Sequence, residues 1–94
     1  MVTLESVKKS LRINHDLDDQ LLQDYIETAS AYVIGTIDSR LTDDDLKDEK
    51  RYNLAVALLA QFWYNSRGDE NAPWIPNAVL TLIQQMRGAD YATD

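Results

Sequence analysis

Tyr52-Asn53-Leu54-Ala55-Val56-Ala57-Leu58-Leu59-Ala60-Gln61-Phe62-Trp63-Tyr64 is the stretch on which the fold turns. From Leu54 to Tyr64 only Gln61 is clearly polar. The segment is rich in Ala and Leu and holds neither Gly nor Pro, so a helix is its favoured state. At about 100° per residue, Leu54, Leu58, Phe62 and Trp63 point in several directions, as do Val56, Leu59 and Tyr64. A helix that is apolar on most sides is a buried helix. The run is too short to cross a bilayer, which takes about 20 apolar residues. The other segments are therefore expected to wrap it.

Working outward toward the start of the chain, Leu4, Val7 and Leu11 repeat at i, i+3 and i+7 and predict a short helix over 4–11. Thr3 is its expected N-cap, Glu5 favours its positive end, and Lys8 and Lys9 sit near its negative end. Two turns of helix are not stable alone, so this one must dock. A second helix is expected over 17–34, roughly 27 Å long. Asp16 is its expected cap, with Asp19 three residues on, and Gly35 its expected stop. Leu17, Leu21, Leu22, Tyr25, Ile26, Ala29, Tyr32 and Val33 give it a wide apolar face. Between 36 and 47 the signals are sparse; Thr42 with Asp45 resembles a capping pair, so a turn of helix is expected to begin at Asp43.

Beyond the central helix, expected over 48–66, Gly68 to Pro73 has the composition of a surface loop. Trp74-Ile75-Pro76 differs: two large apolar residues in a loop imply an anchor onto the core or onto a neighbour. Pro76 suits the first turn of a last helix over 77–87, whose face is Val79, Leu82, Ile83 and Met86 and whose stop is Gly88. Residues 89–94 are expected to be a flexible tail. The expected fold is all-α: one domain over 1–94, a compact bundle of three main helices plus a short N-terminal helix around a buried central helix. The expected core is Leu22, Ile26, Leu54, Leu58, Leu59, Phe62, Val79, Leu82 and Ile83.

With 94 residues the chain can build one modest core. It has no cysteine, which excludes a disulfide framework and any thiolate metal site. Met1-Val2-Thr3-Leu4-Glu5 lacks a basic region followed by an apolar run, so no signal peptide is expected. The formal net charge of −7 repels phosphate backbones and anionic membranes. That argues against a DNA reader, and the last helix holds a single cation, Arg87. It does not argue against lining a passage through which DNA slides.

Reactive constellations are not evident, and no catalytic residue, cofactor site or metal site is expected. His15 is the only histidine; with no second histidine or cysteine to complete a transition-metal site, it reads as a loop residue beside a helix cap. No serine lies in a nucleophile-elbow context, and three glycines form no phosphate loop. Asp43-Asp44-Asp45 with Asp48 and Glu49 lacks the central Gly and the spacing of a calcium loop. Phe62-Trp63-Tyr64 could stack a ligand, but such residues more often build a core; consecutive helical residues cannot all face it, so at least one should reach the surface. Arg67, one turn on, is expected to cap the helix end or pair with a carboxylate.

Three blocks, taken in order, resemble the small helical head–tail connector (head-completion adaptor) proteins of long-tailed bacteriophages. The first runs from Thr3-Leu4-Glu5 through Leu11-Arg12-Ile13 to Asp16, Asp19, Leu21-Leu22, Tyr25-Ile26, Ala29 and Tyr32. The second is Leu54-Ala55-Val56 through Trp63-Tyr64-Asn65-Ser66-Arg67, similar to the family's aliphatic helix ending in a Trp-Tyr pair and a nearby Arg. The third is Ile75-Pro76 leading to Leu82-Ile83 and Met86-Arg87. Two departures are visible: Ala78 stands where many members have Gly, and the segment after Gly35 is short and acidic.

The resemblance implies a helical subunit of the virion, assembled in the bacterial cytoplasm into a ring below the portal. That ring would follow the portal's twelvefold arrangement, extend the channel through which DNA passes without sequence-specific binding, and present a surface to the next connector or stopper protein. No catalysis and no membrane are implied. Heterologous ring contacts need two exposed patches with apolar content; the candidates are Tyr25 and Tyr32 on the second helix and Trp74 and Ile75 on the loop. The alternative is a small helical adaptor or inhibitor that binds one bacterial protein through an aromatic face.

Overall fold

The computed structural model describes residues 2–87, and among these there are five helices and no strand. Helix α1 spans Leu4–Leu11, α2 Asp19–Ile37, α3 Asp43–Leu46, α4 Lys50–Asn65 and α5 Asn77–Met86. The fold is all-α, with α1, α2 and α5 each packed against α4. The expected tail over 89–94 and the stop at Gly88 lie outside the described residues.

Helix α1 opens with a capping box: the Thr3 hydroxyl accepts the Ser6 N–H at 3.1 Å, and Ser6 Oγ accepts the Thr3 N–H at 3.2 Å. It closes on Arg12 in the left-handed region (φ 61°). That turn lets the Arg12 and Ile13 N–H groups return to the carbonyls of Lys9 and Lys8. Lys8 then joins α1 to the entry of α2: its Nζ lies 2.6 Å from Asp19 and 3.2 Å from Asp16. The Asp19 carboxylate, more than that of Asp16, raises the Lys8 pKa.

The entry of α2 differs from expectation. The helix begins at Asp19, with Asp18 rather than Asp16 at the N-cap position and no side-chain cap. The carboxylates explain it. Asp16 is held by Lys8, and Asp18 accepts a 2.5 Å hydrogen bond from the Tyr64 hydroxyl at the far end of α4. The turn over 16–18 leaves Leu17 outside the apolar face, 89% exposed. At its other end α2 passes through Gly35 and stops at Ile37. Gly35 does not take the positive φ of a helix stop, and the extra turn packs Ile34 and Ile37 against the core.

In the sparse segment, Thr42 and Asp45 form a reciprocal capping box at the start of α3. Leu41 and Leu46 are its buried anchors. Helix α4 runs antiparallel to α2: Tyr64 meets Asp18 at one end, and Tyr52 meets Ser30 and Asp43 at the other. Its buried side carries Tyr52, Ala55, Val56, Leu59, Ala60 and Trp63. Helix α5 begins after Pro76, which occupies the N-cap position rather than the first turn, and buries Val79, Ile83 and Met86. Arg51 Nη1 donates to the Gln85 carbonyl at 3.2 Å, which places the end of α5 against the start of α4.

Leu22, Ile26, Leu59, Val79 and Ile83 therefore lie in the core. Leu58, Phe62 and Leu82 are only half-buried, packed against its edge. Leu54 is not a core residue: it is 50% exposed. The reason is geometric. Leu54, Ala57, Leu58 and Gln61 share the side of α4 turned away from its buried residues, and the chain's own helices do not fully cover that side.

Candidate interaction surface

Asp43, Asp44 and Asp45 of the acidic run make contacts within the fold. Asp43 accepts from the Tyr52 hydroxyl at 2.6 Å, Asp45 caps α3, and Asp44 pairs with Lys47 at 3.4 Å. Burial, and secondarily the Asp43 carboxylate, pushes the Tyr52 phenol well above its ordinary pKa of 10. His15 Nδ1 accepts the Leu17 N–H at 3.2 Å within an exposed turn. Among the described residues no group of three or more His, Asp and Glu side chains could hold a metal ion.

What the fold does assemble is an aromatic surface at the end of α4. Trp63 is 6% exposed, and its indole Nε1–H donates to the Trp74 carbonyl at 2.8 Å. This bond brings the loop back onto the helix and lays the two indoles together, with ring centroids 4.6 Å apart and an interplanar angle of 30°. Tyr25 of α2 meets the other side of Trp63 at 6.0 Å and 57°, a tilted pairing of the kind aromatic rings favour. Between Tyr25, Trp63, Arg67 and Trp74 lies an open groove of about 300 Å³. Trp74 remains 65% exposed above it. Among the described residues Arg67 shows neither a helix cap nor a carboxylate pair; its guanidinium lies 3.8 Å from the Tyr64 ring centroid, a cation–π contact.

Of the four expected contact residues, the structure brings Tyr25 and Trp74 to one groove through Trp63. Ile75 and Tyr32 are half-buried and packed against the core, and neither lines that groove. Phe62 and Tyr64 are also half-buried, so of the aromatic triplet only Trp63 is fully inside. Three exposed apolar residues were not among the expected contacts: Leu17, Leu54 and Leu80. Leu54 and Leu80 sit on helices whose apolar residues exceed one face, which is the only signal the sequence offered.

The described residues thus form a small helical domain that leaves Leu17, Leu54, Trp74 and Leu80 exposed. The family model described as phage gp6-like head-tail connector protein matches residues 1–88, and the chain belongs to this family. It is thereby a structural protein of the phage head–tail junction. No curated protein and no solved structure matches the chain. Among the described residues no helix is long and apolar enough to cross a membrane.

Proposed function

We propose that the protein forms a ring below the portal of the filled capsid, extends the DNA channel, and docks the next connector or stopper protein. The match to the connector family over residues 1–88 carries this reading. The surface supports it: Tyr25 and Trp74, joined through Trp63, offer an aromatic docking face. The charge supports it too. A net charge of −7 gives no counterion-release affinity for DNA, so duplex passing through the ring does not stick. No catalytic step belongs to this role.

Electron microscopy and sedimentation of the protein, alone and mixed with portal, test the proposal. The expected result is a ring, free or on the portal. A monomer at every concentration that also ignores the portal refutes it, and a discrete heterodimer with one bacterial protein favours the adaptor reading instead.

A further inference from the structure

Lys, Arg, Asp and Glu make up 27% of the chain, yet Tyr52 to Ser66 holds none of them, and neither does Asn71 to Met86. These stretches contain α4 beyond Lys50 and Arg51, and all of α5. Burial explains only part of the depletion. Leu54 is 50% exposed and Leu80 38%. Ala78 and Gln84 are exposed, and Leu58 and Gln61 are half-buried. On α2, Asp24 and Glu27 take such solvent-facing positions. Charge is thus missing where water would accept it. Depletion of charge is the compositional mark of the centre of a protein–protein contact.

Helices α4 and α5 form one antiparallel hairpin. Arg51 at the start of α4 reaches the Gln85 carbonyl at the end of α5, and Trp63 near the other end of α4 bonds to Trp74 just ahead of α5. The charges of the hairpin lie at its two ends. Asp48, Lys50 and Arg51 stand at one, with Arg51 held by Glu49, and Arg87 follows α5 at the same end. Arg67, Asp69 and Glu70 stand in the loop at the other. Helix α4 alone is about 24 Å long, so these ends are well separated. Leu54, Leu58 and Gln61 on α4 and Leu80 and Gln84 on α5 lie between them.

The charge of the whole chain says what suits this surface. Over residues 1–51 acids outnumber cations, and the net charge is −7. Two copies of the chain therefore repel one another. Contact through the acidic helices α1 to α3 adds like charges at short range, whereas contact through the hairpin adds none. A basic partner has the opposite preference: it gains by lying on the acidic helices and forgoes that attraction on the hairpin. The occupant that the hairpin suits is a second copy of this chain. A ring closes by joining two different faces, and the hairpin has two, the exterior of α4 and the exterior of α5. We infer that the exterior of α4 around Leu54 in one copy packs against the exterior of α5 around Leu80 in the next. The contact rests on the ring reading above and names the surfaces that reading leaves open. Because it joins uncharged faces of like-charged copies, salt screens their repulsion and strengthens it.

Leu54→Glu and Leu80→Glu variants, prepared singly, test the contact, with thermal melting to show that each is folded. Gln61→Glu and Gln84→Glu, nearly isosteric, replace them if the leucine changes lower the melting temperature. At concentrations where sedimentation shows the wild-type chain assembling, alone or on portal, each single variant should associate at least about tenfold more weakly. A mixture of the α4 variant with the α5 variant should form a discrete pair and stop there. One intact α4 exterior then meets one intact α5 exterior, and both outer faces of the pair are spoiled. Raising salt from about 0.05 M to about 0.5 M should strengthen wild-type assembly. Single variants that assemble like the wild type, a mixture that stays monomeric, or wild-type assembly that weakens with salt each overturn this contact and leave the ring reading standing. Wild-type monomers under every condition, portal included, overturn both.

Discussion

Asp38 shows how much a single exposed ion pair can set. Its carboxylate sits in the fork of Arg40, with Nε–Oδ1 at 3.0 Å and Nη2–Oδ2 at 2.7 Å. The Arg40 hydrogen bonds lower its pKa from 3.8 to about 2. The unfolded chain therefore binds more protons than the folded one between these values. The pair's contribution to stability is complete above about pH 4 and is lost as pH falls through the folded pKa. NMR titration of the Asp38 carboxyl should find its midpoint near 2, and Arg40→Gln should return it toward 3.8. A midpoint that Arg40→Gln leaves unmoved would remove the fork as its cause. Local signals of this size were only partly legible in the sequence. The Thr42–Asp45 box could be read because capping involves neighbours along the chain. The choice of Asp18 over Asp16 could not, because Tyr64 and Lys8 decide it from other helices.

At the scale of the helix, α4 was legible as a helix and illegible as a surface. Its Ala and Leu content and lack of breakers fix the conformation. Its apolar circumference cannot say whether a given leucine is covered by its own chain or by something else. Leu59 is fully buried and Leu54 half exposed, although both are leucines of one helix. In urea denaturation of the monomer, Leu59→Ala should cost about 2–5 kcal/mol through lost transfer energy and a cavity. Leu54→Ala should stay within about 0.5 kcal/mol, as surface substitutions do. Equal losses would mean that α4 is rotated relative to this description. The same limit applies to α2. Gly35 reads as a stop by propensity, yet packing of Ile34 and Ile37 against the core carries the helix onward.

For the whole molecule, the three blocks of residues foretold the family and the all-α fold, while the 36–47 segment was left sparse because its order comes from two anchors, Leu41 and Leu46, that only the folded chain provides. The groove was half legible. Trp74 stood out as a large residue in a loop, but its partnership with Trp63 is set by a hydrogen bond across the loop. That partnership has an optical consequence. The chain has only two tryptophans, one sheltered and one wet, stacked on each other at the same tip. Native emission is then a blend whose redder share comes from Trp74. Anything that dries the loop should shift the spectrum toward the blue, and Trp74→Phe should abolish the shift. Events confined to the Lys50 end should leave the colour unchanged. Stopped-flow fluorescence during addition of portal or of the next connector would therefore report which tip has been engaged, without any attached dye.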